Sequence, residues 1–128
     1  MQEPSGELDR LAHEVIGAAI EVHKALGPGY LESVYETALA IELDHRGIRY
    51  ERQNAYSLAY RGLPVGEGRI DLLVAGMLVV ELKAVEQFAP IHKAQVISYL
   101  KATGCRLGLL INFNVTVLKD GIQRIILT

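Results

Sequence analysis

The sequence predicts an α/β fold: a mixed central sheet with helices packed against it. Three observations carry this. Leu8, Leu11, Ala12, Val15, Ala19, Val22 and Leu26 recur at helical spacing, which lays one apolar stripe along a helix. Residues 69–85 hold two apolar runs on either side of Ala75-Gly76, the pattern of a β-hairpin. Residues 106–113 form one continuous apolar run, as in a strand buried on both faces. A length of 128 residues suits one domain with one core, residues 1–128.

Taken in order, Ser5 can cap the first helix, with Glu7 and Asp9 in its first turn, where acidic groups meet the positive end of the helix dipole. That helix stops at Leu26-Gly27-Pro28-Gly29, a run of breakers. A second helix is expected over 31–46, closed by Gly47. Leu31, Val34, Tyr35, Ala38, Ile41 and the stem of Glu42 lie along one broad side of it. Strand-like sequence follows at 48–51 and 55–60, where Tyr56, Leu58 and Tyr60 alternate. Arg61-Gly62-Leu63-Pro64 reads as a turn, and Gly66 and Gly68 permit a bulge or a close backbone approach before the hairpin. A third helix is expected over 90–103, ended by Gly104. Two last strands, 115–119 and 122–127, are expected around Asp120-Gly121.

Composition narrows the function classes. Half the residues are apolar and 22% are charged, ordinary for a soluble globular protein. Cys105 is the single cysteine, so there is no internal disulfide, and no Cys/His cluster has zinc spacing. Residues 1–7 are polar and acidic, unlike a secretion signal, and no apolar run approaches the length of a membrane span. A reducing, cytoplasmic setting is the expectation. The net charge of -2 does not favour nucleic acid, whose binders usually carry a basic patch. Metal-binding carboxylates would account for part of the negative charge. Two basic clusters, Arg46, Arg49 and Arg52, then Lys93, Lys101 and Arg106, read first as solvated surface.

The hairpin carries the chemistry. Glu81 and Lys83 share one face of its second strand, because strand side chains alternate. Charges inside a core strand are costly unless paired or bound to metal. Loop length decides whether Asp71 joins them. With a loop of two residues, Asp71 falls opposite Val80 and faces away from Glu81. With three residues, or a bulge at Gly76, the register shifts by one and the two carboxylates share a face. A surface hairpin with a cross-strand salt bridge fits the same residues.

Asp71, nine residues, then Glu81-Leu82-Lys83 resembles the PD-(D/E)xK nuclease superfamily. Gly29-Tyr30-Leu31-Glu32-Ser33-Val34-Tyr35, preceded by Val22-His23-Lys24-Ala25-Leu26-Gly27-Pro28 and followed by Glu36, closely resembles the GxxExxY family within it. The resemblance runs from about Leu8 to Leu127. It implies a restriction-endonuclease-like sheet and Mg²⁺- or Mn²⁺-dependent hydrolysis of phosphodiester bonds in nucleic acid, DNA ahead of RNA. On it, Glu32, Asp71 and Glu81 would hold metal, with the Leu82 carbonyl as a further ligand. Lys83 would position or activate the attacking water. Gln95 and Tyr99, four apart on the third helix, are similar to the Gln-x-x-x-Tyr pair of the exonuclease-like branch and would orient Lys83 or the substrate. Tyr35 would either contact substrate or pack against the sheet with its hydroxyl satisfied. Ile70 stands where the superfamily's named proline precedes the aspartate. The rival expectation is a non-catalytic binding or assembly module of the same fold, and a protein partner or a second copy stays open in either case.

Overall fold

A computed structural model describes residues 5–127. Its helices are α1 (Gly6–Leu26), α2 (Glu32–His45) and α3 (Pro90–Thr103). Its strands are β1 (Tyr50–Tyr60), β2 (Leu63–Val74), β3 (Leu78–Lys83), β4 (Leu107–Asn112) and β5 (Ile122–Ile126). They form a five-stranded sheet in the order β1-β2-β3-β4-β5. β3 and β4 run parallel and every other pair is antiparallel, so α3 is the crossover that a parallel pair requires. This is an α/β fold with a mixed sheet, consistent with a restriction-endonuclease-like architecture.

Ser5 caps α1, its hydroxyl accepting the Leu8 N–H at 3.1 Å. α1 and α2 cover one face of the sheet. Val15, Ala19, Tyr35 and Leu39 pack there against Leu72, Val80 and Leu109. α3 covers the other face, where Val96 and Leu100 meet Val79 and Leu110. β3 is thus closed in from both sides, and each fully buried Leu or Val contributes about 1.5–3 kcal/mol. α3 lies close because β4 has Gly108 beneath it. A Cβ there would stand 2.6 Å from Val96 Cγ1.

Two expected elements differ. The strand-like pieces at 48–51 and 55–60 form one strand, β1, from Tyr50. The segment 115–119 is not a strand. It turns into a short 3-10 helix, Leu118–Gly121, which buries Leu118 in the core. The partner it would have paired with, β5, pairs instead with β4. The Val115 carbonyl is taken by His23 Nε2 at 2.8 Å.

β1 and β2 change face partway along. Side chains two apart on a strand belong on one face, yet Leu72 packs toward α1 and α2 while Ile70 packs toward α3. On β1, Tyr50 and Tyr56 divide in the same way. The change falls at Asp71 on β2. On β1 it falls at Gln53, whose φ of 50° is left-handed. Such backbone costs on the order of 1–3 kcal/mol in a residue other than glycine. Arg52 pairs with Leu72 and Asn54 with Ile70, so Gln53 and Asp71 lie between them at the switch.

Candidate active site

The hairpin loop is three residues long. Val74 pairs with Leu78, leaving Ala75, Gly76 and Met77 between. Ala75 and Gly76 are both left-handed, at φ 52° and 67°. The register continues through Leu73 with Val79 and Leu72 with Val80, and the next step sets Asp71 opposite Glu81.

There the backbone ladder gives way to side chains. The Asp71 N–H donates to Glu81 Oε1 at 3.3 Å, and the Leu82 N–H donates to Asp71 Oδ2 at 2.9 Å. Buried N–H groups must find acceptors, and here the two carboxylates are those acceptors. The backbone pairing of β2 with β3 ends at Leu72 and Val80, and beyond it the two carboxylates bridge the strands.

Glu81 is 3% exposed and its pKa is pushed up to about 8. Burial is the largest cause and the Asp71 charge the next. Lys83 Nζ, 3.7 Å from Glu81 Oε2, pulls the other way without overcoming them. The same ammonium donates to Gln95 Oε1 at 3.2 Å. Tyr99, one turn further along α3, has its hydroxyl pKa raised by burial and then by the Glu81 charge. Its ring meets that of Tyr56 edge-on at 5.8 Å. Asp71, Glu81, Lys83, Gln95 and Tyr99 therefore converge, and a groove of about 510 Å³ between α3 and the outer hairpin opens onto Lys83.

Two expected residues stand elsewhere. Glu32 is the first residue of α2 and exposed. Tyr35 is fully buried on the α1–α2 side of the sheet, stacked 4.5 Å from Phe113. Its hydroxyl donates to the Gly27 carbonyl at 2.6 Å and accepts the Tyr30 N–H at 3.2 Å. It is a clasp on the α1–α2 corner, as the packing alternative held.

The acidic residue α2 does turn inward is Glu36, one turn after Glu32 and 8% exposed. Its Oε1 accepts from Gln53 Nε2 at 2.7 Å, and the same Gln53 nitrogen donates to Asp71 Oδ1 at 3.3 Å. Arg52 Nε closes the other oxygen at 3.1 Å. A signal for this was present: Glu36 stands beside Tyr35 and four before Ala40, on the flank of the buried face Tyr35, Leu39, Leu43. Nothing in the sequence marks Gln53.

The donors are all hard oxygens, which suit Mg²⁺ or Mn²⁺ rather than a softer ion. Among the described residues no group of three or more His, Cys, Asp or Glu stands close enough to enclose a metal. A two-carboxylate site fits Mg²⁺, which keeps several waters and is held by few protein ligands. The repulsion between Asp71 and Glu81 is what such an ion would relieve.

Over residues 9–125 the sequence matches the PD-(D/E)XK nuclease superfamily, and the chain belongs to that superfamily. No curated protein and no solved structure gives a match. No described helix is long and apolar enough to cross a membrane.

Proposed function

We propose that this chain is a Mg²⁺- or Mn²⁺-dependent nuclease that hydrolyses phosphodiester bonds of nucleic acid, DNA in the first place. The supporting observation is the end of the β2–β3 ladder, where Asp71 and Glu81 bridge the strands and Lys83 stands beside Glu81, hydrogen-bonded to Gln95. Asp71 and Glu81 hold the metal, with the Leu82 carbonyl as a further ligand. A divalent ion there supplies Lewis acidity, lowering the pKa of a coordinated water and neutralising phosphate charge. Glu36 acts through Gln53 and fixes the angle at which Asp71 presents its carboxylate. Lys83 is aimed by Gln95 at the attacking water and at charge developing on the phosphate, a preorganised donor in a half-closed site. Tyr99 walls the groove and shields that donor from solvent.

The test is an assay on mixed single- and double-stranded DNA and RNA, with and without Mg²⁺ or Mn²⁺, for wild type and Asp71→Asn. Wild type should cut at least one substrate only with metal, and Asp71→Asn should cut none. A folded wild type that cuts nothing with either ion refutes the reading and leaves a nuclease-fold binding module.

A further inference from the structure

The groove that opens onto Lys83 runs along one face of α3. Ile91, Gln95 and Ser98 line it at spacings of four and three, which puts them on one side of the helix. The facing wall is the outer hairpin, at Tyr56 and Gly68. These two are cross-strand partners, and the Tyr56 ring lies over the glycine. A Cβ there would stand 2.3 Å from its Cζ. Tyr99 meets the same ring edge-on. The ring is thus held by two neighbours and is still only half-buried. Across from it α3 offers two small, exposed side chains, Ala94 and Ser98. The Ser98 hydroxyl turns back and donates to the Ala94 carbonyl at 3.2 Å.

Charge in the groove is placed at one point. Among the described residues that line it, Lys83 carries the one permanent charge. Glu81, 3.7 Å from that ammonium, does not line it. The remaining lining is aromatic, aliphatic or neutral. His92 Nδ1 accepts the Ala89 N–H at 3.0 Å, so the neutral ring keeps its proton on Nε2 as a donor. A run of phosphates calls for several cations, and this lining supplies one. A single nucleotide matches it at both ends: a phosphate for the ammonium, and a flat base for a fixed ring and an apolar wall.

We propose that the groove is a subsite for one unpaired nucleobase of the strand whose phosphate lies at Lys83. The proposal rests on the nuclease reading for that phosphate and adds the form of nucleic acid the site accepts. A base inside a duplex is stacked and paired, and it reaches such a groove only after extrusion. Single strands and frayed ends meet no such cost. Tyr56, pinned before binding, loses little freedom when a base stacks on it.

The test is fluorescence anisotropy with a short fluorescein-labelled oligothymidylate, with Ca²⁺ in place of Mg²⁺ so that the strand is not consumed. An abasic strand of the same length and a blunt duplex are measured beside it. Both should bind wild type at least about 10-fold more weakly than oligothymidylate, since base stacking on an aromatic ring is of that order. Tyr56→Leu removes the ring and keeps apolar bulk. Ala94→Leu with Ser98→Leu fills the groove from two exposed positions, where leucine suits the helix. Either variant should lower oligothymidylate binding to the abasic level and leave abasic binding unchanged, which a loss of fold would not do. An abasic strand that binds as tightly as oligothymidylate overturns the subsite. So does wild-type binding by both variants, or a wild type that binds no strand at all. Cleavage in Mg²⁺ is scored separately. Base-dependent binding without cleavage refutes the nuclease reading alone, and cleavage with base-independent binding refutes the subsite alone.

Discussion

Replacing Glu81 with glutamine should make the metal-free protein more stable at neutral pH and unresponsive to divalent ions. The folded state raises the Glu81 pKa from 4.5 to about 8. In the unfolded chain the group ionises near its ordinary value. Between these two pH values the unfolded chain gives up a proton that the folded chain keeps, so rising pH draws the equilibrium toward unfolding. Stability is therefore fully present below about pH 4.5, falls as pH rises toward 8, and levels off above it. Each unit of difference is worth 1.36 kcal/mol, so between pH 5 and pH 8 the loss is about 3–4 kcal/mol. Glutamine keeps an oxygen for the Asp71 N–H and carries no charge. Urea unfolding of both proteins at the two pH values reads the effect, since groups remote from Glu81 titrate alike in both. Glu81→Gln should gain about 3–4 kcal/mol on wild type across that range. Added Mn²⁺ at 100 times its Kd should stabilise wild type by about 2.7 kcal/mol and leave the variant unmoved. A stability difference that stays constant from pH 5 to pH 8 would refute the account of Glu81.

Lys83→Ala should stay folded, still bind Mn²⁺ in a calorimetric titration, and lose roughly 100-fold or more in cleavage rate; a variant that cuts like wild type removes the lysine from the mechanism. Tyr35→Phe should lose about 1–2 kcal/mol of stability, from the two hydrogen bonds at Gly27 and Tyr30, with the cleavage rate unchanged. A large rate loss at wild-type stability would return Tyr35 to the site. Gly108→Ala should destabilise by about 1–3 kcal/mol, because its Cβ would press on Val96, and thermal melting reads the result.

The helices were legible because their ends are written in local chemistry. Ser5 and Gly27 bound α1, Pro90 and Gly104 bound α3, and α3 runs over the expected residues, Pro90–Thr103. The pairing of Asp71 with Glu81 was legible only as one of two registers, since the choice rests on whether Met77 belongs to the loop. No alternation pattern decides that. Glu36 was hidden for another reason. On α2 apolar residues occupy two sides, so the sequence alone does not say which side meets the sheet, and Glu32, with its motif position, stood out more than Glu36. The turn at 115–119 was missed because Val115, Val117 and Leu118 read as strand, while the burial of Leu118 follows from a tertiary contact no local rule contains.

The end of the β2–β3 ladder ties survival of the fold to the identity of its acidic residues. Asp71 and Glu81 accept the backbone protons of Leu82 and of Asp71 itself, so an apolar replacement strands a buried N–H as well as removing a charge, at about 1–3 kcal/mol for each group left unpaired. If the proposed cleavage were lost in a lineage, these two sites would still meet a steep mutational landscape. Its tolerated steps are Asn, Gln or Ser, which keep an oxygen in place, and not Ala or Val. A descendant that had ceased to cut would carry amides or hydroxyls here, the imprint of its ancestor's chemistry kept by the demands of its backbone.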